Sequence, residues 1–483
     1  YMNKDFKHIP KEQRKKILLV CDDIRVHSGV ATVAKEIVIH TAHHFNWVNI
    51  AGAIKHPEKG KVLDISSSTN IEAKIEDASV KLYCVDGYAQ SFELQQILNI
   101  EKPDAVMLIT DPRYFKHIFN MEDTIRKQCP LVYLNIWDDY PAPMYNKPFY
   151  EACDLLMGIS KQTVNINKLV LEGVDNSKRV FKYVPHGLNH EHFYPINKDH
   201  KEFDEFQKFR NNVVGEDTEY VMFFNSRNIR RKQIPDSMLA FRSFLDSLPK
   251  EKAEKCKFVL HTDLSTDHGT DLGAVAEYLF GEKYEENIVF SHAKLSRTQL
   301  NWLYNMADVQ ILITSNEGWG LTITEAMLTG TPIIANVTGG MQDQMRFVDE
   351  HGKWFEPSAD IPSNHRGTYK EHGEWVFPVY PTSRSIQGSP QTPYIFDDRC
   401  SWEDVCDRIK EVYELTNKER KVKGLKGREW ALSDEAGFTA EHQAQRVMES
   451  FDELFSVWEP REDYEIVNAT EYKGRFLNHK ITY

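Results

Sequence analysis

The sequence predicts an α/β protein built from two doubly wound domains that face each other across a cleft, on three observations. The chain has 483 residues, more than one compact core usually organises. Short apolar runs alternate with helical patterns, and these runs are continuous rather than strictly alternating, which suits parallel strands covered on both faces. The runs also fall into two series, separated by a polar stretch over 197–218.

The first series opens with the apolar run 17–20, a loop over 21–28, Gly29, and a helical pattern at Val30, Val33, Ala34, Ile37 and Val38. Further strands are expected at 105–109, 131–136, 155–159 and 180–184. The second series places strands at 220–224, 258–260, 288–290, 309–313 and 332–335, with helices over 235–248 and 297–306 between them. These runs divide the chain into 1–195 and 196–439. An amphipathic pattern over 439–458 (Val447, Phe451, Leu454, Phe455, Trp458) predicts a helix within 440–483 that returns to the first domain. The Pro-, Ser- and Gly-rich stretch 353–399 reads as a functional loop without regular structure.

Composition narrows the function. A formal net charge of −13 argues against a surface made for wrapping nucleic acid, although a local basic cleft stays open. Seven cysteines are scattered without a CxxC pair, so neither a disulfide framework nor a zinc knuckle is expected, and a reducing cytoplasm fits. No stretch approaches the roughly 20 apolar residues of a membrane span, and the basic N-terminus has no apolar signal region.

The most informative stretch runs from Ser315 to Gly340, after the strand expected at 309–313. Thr322 or Thr324 is expected to cap a helix that begins near Glu325 and ends at Gly330. A helix N-terminus offers free N–H groups and the positive end of its dipole to an anion, and Gly318 and Gly320 allow a phosphate to approach the backbone. Glu317 and Glu325, eight positions apart, are carboxylates suited to accepting hydrogen bonds from sugar and ribose hydroxyls. Either alone reads more simply as a solvated acid; together with the glycines they point to a ligand.

The pattern Glu317-x7-Glu325, with Thr338-Gly-Gly340 after the next strand, resembles the signature of the retaining GT-B glycosyltransferases of family 4 (glycosyl transferases group 1). The resemblance implies that Glu317 contacts donor-sugar hydroxyls, Glu325 binds ribose, and the Gly320-Leu321-Thr322 amides hold the diphosphate. Ser226-Arg227-x4-Lys232 is similar to the family's Gly-Arg-x4-Lys element, which implies that Arg227 and Lys232 neutralise the leaving diphosphate. Val184-Pro-His186-Gly187, running on to Phe193-Tyr-Pro195, resembles the interdomain segment, with an architectural role. Ser28-Gly29 resembles the first glycine loop.

One position departs from the pattern. Many relatives carry a His where this chain has Trp137, and that His bonds the sugar near the reacting carbon. Asp138, Asp139 and His27 are the polar candidates nearby, and Asp138 is taken as the substitute. Trp137 reads equally as core packing or as a stacking platform.

The implied activity is transfer of a hexosyl or pentosyl group from a nucleoside diphosphate sugar, a UDP-sugar foremost, to an acceptor hydroxyl with retention. Positioning and charge stabilisation would carry catalysis without a metal or other cofactor. The acceptor stays open among a glycan, a lipid and a hydroxymethylated phage DNA base, and the oligomeric state is open too. The alternative is a GT-B-shaped protein that binds a nucleotide or glycan without transferring it.

Overall fold

The computed structural model describes residues 7–357, 365 and 367–461. Eight strands form the first sheet: β1 (Lys15–Asp22), β2 (Phe45–Ala53), β3 (Val62–Asp64), β4 (Val80–Asp86), β5 (Ala105–Ile109), β6 (Leu131–Asn135), β7 (Leu155–Gly158) and β8 (Val180–Tyr183). Their order is β3-β4-β2-β1-β5-β6-β7-β8, parallel throughout except for β3, which runs antiparallel to β4. The second sheet contains β9 (Tyr220–Asn225), β10 (Cys256–His261), β11 (Ile288–Ser291), β12 (Val309–Leu312), β13 (Ile333–Asn336) and β14 (Val376–Val379), all parallel, in the order β11-β10-β9-β12-β13-β14.

The expected apolar runs all fall on strands, and their side chains are buried where helices cover both sheet faces, while those of the edge strands β8 and β11 are mostly half-buried. Strands β2 and β4 escaped the sequence reading for opposite reasons. In β2 the apolar run is broken by Asn49, which is fully buried and donates its amide to the Leu19 and Ile50 carbonyl oxygens. In β4, Lys81 and Tyr83 alternate with buried residues and both bond Glu101 Oε1.

The stretch expected to be irregular instead carries β14 and an antiparallel hairpin, β15 (Ser383–Gln387) and β16 (Ile395–Arg399). Residues 358–364 and 366 of that stretch lie outside the described residues. The hairpin is ordered by docking on both sides of the cleft. Phe396 N donates to Tyr140 O (2.8 Å) and Tyr145 Oη to Tyr394 O (2.7 Å). On the other side, Asp398 N donates to Ser315 O (2.8 Å) and Ser315 Oγ to Asp397 Oδ1 (2.7 Å).

The helix Ala440–Val457 packs on the helix Gly29–Thr41, with Phe451 edge-on to Phe45 at 5.4 Å between ring centroids. The segment expected at the domain junction meets the start of this helix: Leu188 N donates to Phe438 O, and a Cβ on Gly187 would stand 2.1 Å from Thr439 O. That contact explains the glycine. The part of the tail over 462–483 lies outside the described residues.

Candidate functional site

In a doubly wound sheet, ligands bind beyond the carboxyl ends of the strands where the strand order reverses. The reversal falls at β1 and β5 in the first sheet and at β9 and β12 in the second. The loops after β1, β9 and β12 carry Gly29, the Arg227 to Lys232 stretch, and the Glu317 to Gly320 turn. The topology therefore brings together three motifs far apart in sequence.

The helix after β12 is Leu321–Thr329, four residues earlier than the expected start near Glu325. Its N-cap is Gly320, in the left-handed conformation at φ +87°, and no threonine caps it. Thr324 lies inside the helix, where its hydroxyl donates to Gln344 Oε1 and accepts from Trp319 Nε1. The free amides of the first turn thus belong to Leu321 and Thr322, while Ile323 N already donates to Gly320 O (3.0 Å). The Thr338-Gly-Gly340 element supports the turn from behind: Gly340 N donates to Glu317 O (3.0 Å), and a Cβ on Gly340 would sit 2.0 Å from Gly318 O.

Glu317 is buried between two cations. Arg231 Nη1 lies 3.0 Å from Glu317 Oε2, and Lys232 Nζ closes on the same oxygen. Burial by itself would raise the Glu317 pKa, yet the two cations hold it down at about 2, so the carboxylate is charged. Burial also depresses the Lys232 ammonium, opposed by Glu317. Arg227 is exposed, and among the described residues no side-chain hydrogen bond or ion pair holds it. The motif thus puts Lys232 in the site, Arg231 beside it, and Arg227 at its rim.

Glu325 faces a different part of the cleft. Tyr304 Oη donates to its Oε2, with Asn225 Nδ2 at 3.5 Å from the same oxygen. Burial pushes its pKa to about 7 against these two donors. Asn225 ends β9 and Tyr304 lies on the helix Arg297–Met306.

The first domain closes the other wall. Asp138 Oδ1 and Ile136 O are 3.2 and 2.8 Å from where a Cβ of Gly318 would stand, so this turn accepts no side chain. Burial raises the Asp138 pKa; Arg231 and Lys232 oppose the shift, and Glu317 adds to it. Gly29 starts its helix opposite Leu321, whose Cδ1 is 3.8 Å from the glycine's would-be Cβ, so two helix N-termini meet across the cleft. Ser28 caps the first of them, accepting from Ala31 N, and donates to Asp22 Oδ2 (2.7 Å).

Trp137 is 6% exposed and packs edge-on to Tyr145, with centroids 5.9 Å apart. It is a core residue, the packing member of the two readings. Asp139 is fully buried against Asp398 of the hairpin. Burial first and Asp398 second push its pKa well up, so this carboxyl pair holds a proton. His27 is exposed. His186 is buried as a neutral imidazole, with burial taking its pKa to about 4 and Glu317 opposing that shift.

Asp23, His56 and Cys84 bring three potential metal ligands within 4.8 Å of one another. The cluster is wired as a charge network instead. Arg25 grips both Asp23 oxygens, and His56 Nδ1 accepts from Glu58 N (3.0 Å), which leaves the proton on Nε2, directed at Asp23 Oδ2 (2.9 Å). A metal-bound histidine donates through its other nitrogen, and this one cannot.

Sequence reasoning missed Arg231, Tyr304, Asn225 and Asp398. Arg231 stood inside the quoted motif as a variable position. Tyr304 and Asn225 occur in no recognisable spacing, and only the fold carries them to Glu325.

Residues 205–362 match the family model described as glycosyl transferases group 1. Trehalose synthase of Pyrococcus horikoshii is 32% identical over 65 residues, which span 14% of this chain and 16% of that protein. Sucrose-phosphate synthase of Thermosynechococcus elongatus superposes with a TM-score of 0.62 at 13% identity, covering 92% of this chain and 100% of that one. The Anabaena protein Alr3699/HepE, solved in complex with UDP and glucose, gives 0.61 at 14% identity, over 91% and 100%. The architecture of two facing doubly wound domains is the GT-B fold, and residues 205–362 of the chain are similar to the glycosyl transferases group 1 family.

Proposed function

We propose that this protein transfers a sugar from a nucleoside diphosphate sugar, a UDP-sugar foremost, to an acceptor hydroxyl with retention of anomeric configuration. One observation carries the reading: an ionised carboxylate, Glu317, held by Arg231 and Lys232 at the mouth of a glycine turn that leads into the N-terminus of the helix Leu321–Thr329. A diphosphate fits that helix N-terminus. Lys232, once it turns from Glu317 to the phosphate, and Arg227 at the rim supply the positive charge that the leaving group needs as the glycosidic bond breaks.

In this reading Glu317 receives hydrogen bonds from donor-sugar hydroxyls, and Glu325 receives those of ribose. Asp138 faces the reacting sugar from the first domain, in place of the histidine that position 137 lacks. Residues 1–195, with the returning helix, take the acceptor, while 196–439 hold the donor. The departing diphosphate accepts the acceptor's proton on the face it leaves, so the retained configuration needs no protein nucleophile.

The test is a panel of UDP-, GDP- and ADP-sugars, screened by thermal stabilisation and then by product analysis of the anomeric linkage. An inverted product would refute retention. Stabilisation without release of nucleotide from any donor, with glycan, lipid and modified-DNA acceptors all present, would favour the binding-protein alternative.

A further inference from the structure

The segment that joins the two domains carries a buried histidine with no partner. His186 lies three residues past β8, and the backbone around it is pinned on both sides. Val184 N donates to Gly158 O (2.9 Å) at the end of β7, while Gly187 N donates to Gln443 Oε1 (3.2 Å) and Leu188 N to Phe438 O (3.0 Å). Both anchors also meet the glycine turn. Ile159, next to Gly158, has its Cδ1 3.1 Å from the would-be Cβ of Gly318, and the Trp319 ring packs edge-on to Phe438 with centroids 5.0 Å apart. The joining segment thus holds His186 alongside the turn that begins at Glu317.

Nothing in the protein uses the ring there. His186 is 8% exposed, yet neither ring nitrogen makes a hydrogen bond or ion pair among the described residues, and Nδ1 is sealed from solvent. His56, equally buried, shows the contrast: its two nitrogens meet Glu58 N and Asp23 Oδ2. A neutral imidazole has one donor and one acceptor to satisfy, and leaving them unpaired in a buried place is costly. Packing alone would be served by an apolar side chain.

The surroundings narrow what the ring can bind. Glu317 is the one ionised group that acts on it, and burial outweighs that pull, so the imidazole is neutral. No carboxylate, thiol or second histidine among the described residues groups with it as a metal set. An ionised Glu317 can only accept hydrogen bonds, whereas a neutral imidazole also donates one. A sugar hydroxyl does both, so the two side chains complement each other on a polyol.

We infer that His186 hydrogen-bonds the donor sugar that Glu317 holds, so that the joining segment, besides its architectural role, contributes a sugar contact. The inference rests on the reading of Glu317 as the carboxylate that receives donor-sugar hydroxyls.

The test compares UDP with UDP-glucose by calorimetric titration of the parent, His186→Leu and His186→Gln. His186→Leu should weaken UDP-glucose about tenfold or more and leave UDP within about twofold, because UDP lacks the sugar. His186→Gln keeps an N–H at the tip of the side chain and should recover most of the loss. Without ligand, the Tm of His186→Leu should equal or exceed the parent's, since an apolar group replaces an unpaired polar one. Equal weakening of both ligands with a lowered Tm would assign the ring to packing and overturn the inference, as would a ratio of the two affinities that is the same in all three proteins. The expected pattern without release of UDP from UDP-glucose defeats only the transferase reading. Release of UDP by the parent, with His186→Leu binding UDP-glucose as tightly, defeats only this inference, and a parent that binds neither ligand overturns both.

Discussion

The Arg231 guanidinium lies 3.0 Å from Glu317 Oε2 and 2.6 Å from the Asn316 carbonyl oxygen, so one side chain fixes both the charge and the backbone of the glycine turn. Lys232 shares the same carboxylate oxygen. If Lys232 turns to a diphosphate, Arg231 remains to keep Glu317 ionised.

The Arg231→Met variant should therefore bind nucleotide but turn over slowly, with the acid limb of its rate profile moved to higher pH. The sign follows from Glu317, whose pKa is held at about 2 by its two cations and rises when one is lost. A pH profile of kcat with the parent's acid limb contradicts this. Glu317→Gln should cost on the order of 10²–10³ in kcat, the scale of losing one preorganised electrostatic partner.

Nucleotide affinity should strengthen as pH rises through 7. Glu325 is pushed to about 7 by burial, and its ionised form is the better acceptor for ribose hydroxyls. Calorimetric titration of UDP between pH 5.5 and 8.5 reads the effect. Glu325→Gln should flatten the pH dependence and weaken binding by roughly 10–100-fold, as expected for losing hydrogen bonds to a charged group.

Stability should respond to the Asp139–Asp398 pair. An acid whose folded pKa is raised favours folding below its unfolded value, and that contribution is lost as pH rises from about 4 through the folded pKa. Asp398→Asn removes the need to hold two carboxyls together, so its Tm should gain on the parent's as pH rises. Parallel Tm curves from pH 5 to 9 speak against a shared proton.

Gly340→Ala should abolish nucleotide binding while leaving the far strands folded. Its Cβ would stand 2.0 Å from the Gly318 carbonyl oxygen, so the glycine turn must move. Thermal stabilisation by UDP equal to the parent's would mean that the turn tolerates the shift.

Much of the second domain was legible because its strands are uninterrupted apolar runs, such as those at 220–224 and 309–313, and because Glu317, Gly320 and Lys232 sit in short local motifs. Legibility failed where tertiary contacts decide. Asn49 lies in a strand because its amide is satisfied by neighbouring backbone, and β15 and β16 pair because Tyr140 and Ser315 give them somewhere to dock. Helix caps misled as well: two threonines looked like N-caps after Gly320, but a left-handed glycine starts the helix and frees Thr324 to brace Trp319. Trp137 could be assigned to the core only once Tyr145 was placed beside it.

Activation of a nucleoside diphosphate sugar at the Glu317–Lys232 site is read most directly from release of UDP from a UDP-sugar by the parent and by Lys232→Met under single turnover. Release by the parent is expected, with a loss of on the order of 10²–10³ in the variant at near-unchanged nucleotide binding. Equal rates in the two proteins would contradict it.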